Sequence, residues 1–122
     1  DHKWVTKEQT GKTATWTYTG DDISRGAIFV SWTQWDDHAT NAIYRSSATS
    51  DITVNQKFNS GQTTFDGNGK WSGWYLIPGN YSIVNGTTVT LAPETGTNGN
   101  LSADAVAFVD LNEVEFFCSV KL

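Results

Sequence analysis

Residues 13–19 read Thr-Ala-Thr-Trp-Thr-Tyr-Thr, and this stretch decides the fold class. Ala14, Trp16 and Tyr18 would point to one side of an extended chain and the four threonines to the other, because successive side chains of a β-strand face opposite ways. Strict alternation of this kind predicts a strand with one buried face and one face in solvent. No segment of the sequence shows the 3.6-residue period of an amphipathic helix. We therefore expect an all-β protein.

The segments that follow extend this pattern. Residues 26–32 are apolar on both faces, which predicts a central strand that is covered on both sides. Residues 41–46 predict a short strand. A further strand is predicted over residues 51–58, where one face carries Ile52, Val54, Gln56 and Phe58.

The second half of the chain combines turn signals with more strands. Residues 81–84 and 87–91 flank Asn85 and Gly86, a pair that tolerates the positive φ angles of a type I′ turn and so predicts a hairpin. Residues 104–111 and 113–121 alternate again. The result is eight or nine short antiparallel strands, spaced by about 8–12 residues, as is typical of sandwiches and barrels. We expect residues 1–122 to form a single domain, a two-sheet, jelly-roll-like β-sandwich.

The composition narrows the classes of partner. The 122 residues carry 8 Lys and Arg against 13 Asp and Glu, a net charge of −5 without a basic cluster. Nucleic acids and anionic membranes are bound through basic surfaces, so we expect neither as a partner. The single cysteine, Cys118, excludes an internal disulfide. The abundance of Thr, Ser, Asn and Gly, with a start at Asp1, leads us to expect one domain of a larger secreted or cell-surface protein.

A series of short motifs runs from residue 13 to residue 109. They are Thr13-Ala14-Thr15-Trp16, the strand ending at Trp32, Ala39-Thr40-Asn41-Ala42-x-Tyr44, Val54-Asn55-Gln56, Trp74-x-Leu76 with Gly79-x-Tyr81, and Ala103-Asp104-Ala105-Val106-x-Phe108. In this order they resemble the golvesin/xanthan-lyase carbohydrate-binding-domain-like family. The resemblance implies a β-sandwich appended to bacterial secreted enzymes, surface proteins or phage particles, with glycan binding as its usual role. Residues 113–122 continue past the usual end of that family.

Six tryptophans in so short a chain favour a glycan site. A sugar ring packs its C–H face on an indole, and its hydroxyl groups then need amide or carboxylate partners beside it. Trp35 and Trp71 lie among polar or glycine residues, so we expect their rings to be exposed, whereas the sequence around Trp74 fits an exposed ring and a core ring equally. We nominate Trp35, Trp71 and Trp74 as the rings that would bind sugar. Trp16 and Trp32 are expected in the core. Trp4, on a terminal segment, could plug one end of the sandwich.

Several polar residues interrupt otherwise apolar strands. They are Asn41, Tyr44, Asn55, Gln56 and Asp104. Buried without partners, each would cost about 1–3 kcal/mol, so such residues either form an internal network or line a cleft. We keep both interpretations open and nominate Asn41, Tyr44 and Gln56 as the residues that would bond sugar hydroxyls.

Catalytic and metal signals are weak. Residues 66–69, Asp-Gly-Asn-Gly, offer the oxygen ligands of a calcium loop but lack a later bidentate acid, so a plain turn is the simpler interpretation and no cofactor is expected. Only His2 and His38 could act as a histidine base, and no acid pair is singled out.

The domain is therefore expected to be a non-catalytic module that tethers a secreted protein to a polysaccharide or oligosaccharide. The alternative is a structural or assembly domain of an adhesin, a surface protein or a phage particle, in which a strand over residues 113–121 pairs with a neighbouring molecule.

Overall fold

A computed structural model describes residues 3–58, 70–71 and 74–113, apart from the side chains of Lys3, Lys70 and Trp71. The described residues form twelve short strands, and every strand pairing is antiparallel. The strands are β1 (Lys3–Val5), β2 (Ala14–Thr17), β3 (Ile23–Ser31), β4 (Thr33–Gln34), β5 (Ala42–Ser46), β6 (Ile52–Val54), β7 (Lys70–Trp71), β8 (Tyr75–Leu76), β9 (Tyr81–Ile83), β10 (Thr88–Leu91), β11 (Leu101–Ala103) and β12 (Ala105–Asp110). Residues 111–113 form one helical turn.

Two larger sheets and two short ribbons make up the fold. The first sheet has the strand order β2-β10-β5-β6, and the second has the order β12-β3-β8 with β9 also paired to β3. The ribbons are β1 with β11 and β4 with β7. The all-β, sandwich-like prediction is thus confirmed, with more and shorter strands than the sequence pattern indicates.

Strand β3 is central, as predicted from its apolar run. It pairs with β12 along one edge, Ala105 opposite Ser31 through Asp110 opposite Gly26, and with β8 and β9 along the other. Ile28 and Val30 face the core with no exposed surface, and Ala27 and Ser31 on the opposite face are also buried. A strand covered on both faces needs apolar residues at successive positions, which is what residues 26–32 supply.

Aromatic rings join the two sheets. Tyr44 from β5 lies between Trp16 of β2 and Trp32, with ring centroids 6.4 and 6.3 Å away, and Trp32 also contacts Tyr75 at 6.0 Å. Such tilted contacts within about 7 Å are favourable. Trp32 is 2% exposed and Trp16 is half-buried against the core cluster. The predicted core roles of both tryptophans fit this packing.

The predicted hairpin at Asn85 and Gly86 is wrong. The turn exists, since the Thr87 amide donates to the Val84 carbonyl at 2.9 Å, but only Gly86 has a positive φ, of 95°. Positive φ at the third turn position alone defines a type II turn rather than type I′. The flanking strands separate instead of pairing, because β9 joins β3 and β10 joins β2 and β5. The chain therefore crosses between sheets here.

The structure also differs from the sequence-based interpretation at Trp4 and at the end of the strand that begins near residue 51. The N-terminal residues include β1, whose Trp4 is 60% exposed, so Trp4 is not a buried plug at the end of the sandwich. The predicted strand over residues 51–58 ends at Val54, because a turn follows in which the Phe58 amide donates to the Asn55 carbonyl. Of the expected strand over residues 113–121, Glu113 is described and belongs to the helical turn. Residues 114–121, with Cys118, and the Asp66–Gly69 loop lie outside the described residues.

Candidate functional site

Trp74 projects from the outer face of the second sheet. Tyr75, its neighbour on β8, pairs with Val30 and packs its ring on the core side, so Trp74 and Leu76 face outward by alternation. The exposed fractions of Trp74 and Leu76 are 39% and 45%. An indole directly before β8 and an aliphatic side chain on β8 are therefore both accessible at this edge of the sheet.

Trp35 follows β4 and begins a tight turn. Its carbonyl accepts a hydrogen bond from the His38 amide at 3.2 Å, and 44% of its surface is exposed. Asn100 fixes the same turn twice, donating from its side chain to the Asp37 carboxylate at 3.0 Å and from its backbone to the Asp37 carbonyl at 3.0 Å. The indole thus sits on a backbone held by several bonds and beside the exposed carboxylates of Asp36 and Asp37.

The strand register relates Trp35 to Trp74. Tyr75 opposes Val30, so Trp74 lies near the level of Ser31, four residues before Trp35. An extended chain advances about 3.3 Å per residue, which puts the two backbones no more than about 13 Å apart along the strand direction.

The positions between the two tryptophans are covered or paired. Thr33, between Ser31 and Trp35 in the chain, is paired with the Trp71 backbone, while the Trp71 side chain is outside the described part of the chain. Ser31 and Thr33 are buried, so the two exposed rings flank a covered stretch.

Asn41 serves the loop that precedes β11. Its side-chain amide donates to the Gly96 carbonyl at 2.8 Å, and its side-chain oxygen accepts from the Asn98 amide at 3.0 Å. Asn98 reciprocates, accepting from the Thr40 amide at 2.8 Å and donating to the Thr40 hydroxyl at 2.6 Å. Both polar ends of Asn41 are therefore engaged with the backbone, and Asn98 is a partner that the sequence pattern does not reveal.

Tyr44 and Gln56, the other two nominated hydrogen-bonding residues, lie in the interior. Gln56 has no exposed surface and Tyr44 is 1% exposed. The Gln56 side chain accepts from the Ser102 amide at 2.8 Å and donates to the Ser102 carbonyl at 2.9 Å, so it replaces a neighbouring strand along this edge of β11. The Gln56 amide also reaches the Tyr44 hydroxyl at 3.3 Å. These two residues follow the internal-network interpretation and cannot contact a ligand at the surface of this structure.

Burial shapes the ionisation of this network. Removal from water raises the pKa of the Tyr44 hydroxyl well above its ordinary value, and the nearby Asp104 carboxylate acts in the same direction. Ser102 extends the network, because its hydroxyl accepts from the Thr33 amide at 3.1 Å. The polar groups around Gln56 thus tie β11 to β4 and β5 and carry no charge at neutral pH.

Arg45 has its charge matched by two acids. Its guanidinium donates to Glu94 at 2.9 Å and also to the Asp51 carboxylate. The bond from Arg45 lowers the pKa of the Glu94 carboxyl below its usual range. Arg45 therefore adds no net positive charge that would attract an anionic glycan.

Within residues 3–58, 70–71 and 74–113, no three His, Cys, Asp or Glu side chains are grouped in a way that could hold a metal ion. His38 is 7% exposed and its Nε2 lies 3.9 Å from an Asp37 carboxylate oxygen. In the same described residues, no helix has the length and apolar character needed to cross a membrane.

The structure thus separates five of the six nominated residues into three groups. Trp35 and Trp74 present rings to solvent, Asn41 holds a loop, and Tyr44 and Gln56 are enclosed, while Trp71 is described by its backbone alone. Compared with models of protein families, with curated proteins and with solved structures, the chain matches none.

Proposed function

We propose that this domain is a non-catalytic carbohydrate-binding module, as the family resemblance implies, and that Trp35 and Trp74 bind the glycan. The observation that carries the proposal is the exposure of two indole rings, Trp35 directly after β4 and Trp74 directly before β8, with Trp74 near the level of Ser31 at the end of β3. An exposed indole offers a flat apolar face, and the C–H face of a pyranose is a suitable partner for it. Two separate exposed rings suit successive sugars of a chain rather than a single sugar.

Charge and polarity favour a neutral glycan. The acids Asp36 and Asp37 adjoin Trp35, and Arg45 is already paired with Glu94 and Asp51. Exposed carboxylates accept hydrogen bonds from sugar hydroxyls but repel anionic sugars. We therefore propose that Asp36 and Asp37 take the hydrogen-bonding role that Tyr44 and Gln56, being enclosed, do not provide.

Affinity electrophoresis against neutral and anionic polysaccharides tests this proposal. We expect retardation by at least one neutral polysaccharide, and a loss of about tenfold or more in affinity for Trp35→Ala or Trp74→Ala, since truncating a central aromatic anchor costs about 1–2 kcal/mol or more. Leu76→Ala is the matched control, because it removes exposed apolar surface next to Trp74 without removing a ring.

Two results would contradict the proposal. One is a folded protein that no polysaccharide retards. The other is retardation that the double variant Trp35→Ala/Trp74→Ala leaves unchanged.

A structural or assembly role is the second candidate, and strand β12 favours it. Among the described residues β12 pairs with β3 along one edge and with no strand along the other. Its sequence, Ala-Val-Ala-Phe-Val-Asp, has no charge before Asp110, and uncharged edge strands invite pairing with another chain. Light scattering during size-exclusion chromatography separates the two roles, since a concentration-dependent dimer that Val109→Lys abolishes would favour assembly.

A further inference from the structure

A cavity of about 330 Å³ opens where the β1–β11 ribbon meets the end of the first sheet. It is lined by Trp4, Val5, Lys12, Thr13, Ala14, Leu91, Leu101 and Ala103. Val5 opposes Leu101 in the ribbon, and Ala14 opposes Leu91 in the sheet, so the cavity lies between two paired edges. Neither Trp35 nor Trp74 takes part in it.

The lining is apolar inside and polar at the mouth. Leu91 and Leu101 are 3% and 2% exposed and form the floor. Trp4, Lys12 and Thr13 are exposed and surround the opening. An apolar interior with a few polar groups at one end is typical of sites for small organic ligands, and the volume falls at the low end of the usual range of about 300–1,000 Å³.

We propose that this cavity binds a small amphiphilic carboxylate, with the apolar body inside and the carboxylate at Lys12. The five aliphatic side chains that line the cavity offer no hydrogen-bond partners, so a sugar placed there would leave its hydroxyl groups unsatisfied. Lys12 is a cation at the mouth of the cavity in a protein of net charge −5. Complementarity to that cation selects an anion over a neutral hydrocarbon.

The size of the cavity sets the size of the ligand. At about 30 Å³ for each water-sized group, the volume holds roughly ten non-hydrogen atoms. A medium-chain carboxylate such as octanoate matches this number and serves as the probe. The exposed indole of Trp4 would cover the part of the chain that leaves the cavity.

Titrations followed by two-dimensional amide NMR test the proposal on the intact chain. We expect octanoate to shift the amide signals of Val5, Leu101 and Ala103, and to bind about two- to fivefold more tightly than octan-1-ol, because an exposed ion pair is worth at most about this factor. Lys12→Ala should abolish the difference between the two ligands while leaving octanol binding unchanged. Salt at about 1 M should shrink the same difference, because it screens exposed charges.

A second variant tests the cavity itself. Ala103→Leu fills the space and should remove the binding of both octanoate and octanol. Because Lys12 is exposed, we expect Lys12→Ala to fold like the wild-type protein. The proposal is overturned if octanoate shifts none of these signals, if octanol binds as tightly, if Lys12→Ala changes nothing, or if glucuronate competes for the cavity. The double variant Trp35→Ala/Trp74→Ala should bind octanoate normally, so this test and the glycan test fail independently.

Discussion

Two regions of this molecule combine an aromatic ring with side-chain amides, one to build the interior and the other at a surface turn. In the interior, Tyr44 and Gln56 place an aromatic ring and an amide in a closed network around Ser102. At the surface, Trp35 lies beside acids on a turn that Asn100 holds. What differs is whether the backbone nearby has unpaired groups that a side chain must satisfy. Where β11 lacks a neighbouring strand, the amide of Gln56 is used for structure.

Among the polar residues of the two regions, the largest effect is expected at Gln56. Gln56→Ala leaves the amide and carbonyl of Ser102 without partners in a buried position. We expect a loss of about 2–6 kcal/mol in the free energy of unfolding, since each of these two groups costs about 1–3 kcal/mol when it is left unpaired. Urea denaturation measures it. Gln56→Met, which keeps the chain length, separates the lost bonds from the lost volume, and exposed Lys57→Ala is the control. A loss below 1 kcal/mol in Gln56→Met would contradict the account.

Tyr44 gives the next effect, through pH. Its pKa is raised in the folded state, mainly by burial, so the stability it contributes is complete below the unfolded-state pKa of about 10 and declines as pH rises above it. At pH 11 the unfolded chain gains about 1.4 kcal/mol from ionising this group. We expect Tyr44→Phe to lose less stability between pH 9 and pH 11 than the wild-type protein, measured by urea denaturation at each pH. Parallel pH profiles would show that Tyr44 ionises freely in the folded protein.

The sequence predicts a structural feature of these regions only where neighbouring residues determine that feature. Residues 13–19 and 26–32 predict their strands because alternation and an apolar run are local consequences of facing a core. The hairpin at Gly86 could not be judged in this way, because the same dipeptide also forms a type II turn and the partners of β9 and β10 are set by distant strands.

The site shows the same limit. The exposure of Trp35 is predictable from its polar neighbours, a local feature. The enclosure of Gln56 depends on Ser102, which lies 46 residues away in the chain. The sequence around neither residue indicates that the two are hydrogen-bonded. The same holds for the reciprocal bonds of Asn41 and Asn98, which lie 57 residues apart. Polar residues within a β-sandwich can therefore be nominated from sequence, but their partners cannot.

A smaller effect on stability is expected at Asn41, which is half-buried and so lies between the enclosed Gln56 and the exposed Trp35. Asn41→Ala removes two bonds to the loop of residues 92–100, but the site is partly open and water can replace them, so we expect a loss of about 1 kcal/mol. Hydrogen exchange of the Asn98 amide, which now donates to Asn41, should accelerate more than the global stability loss explains. Unchanged exchange at the Asn98 amide would show that Asn41 does not hold the loop in place. Asn55→Ala, which removes another half-buried side-chain amide, is the control.

The smallest effect on stability is expected at Trp35, and it decides what the surface region is for. The exposed ring is not part of the core cluster, so Trp35→Ala should change the free energy of unfolding by no more than about 0.5 kcal/mol. Trp32→Ala, three residues away and fully enclosed, should cost about 3–5 kcal/mol in the same urea titration. If Trp35→Ala proves as costly as Trp32→Ala, the ring is a structural element of its turn. A neutral result, combined with lost glycan binding, leaves recognition as the reason for a tryptophan at that position.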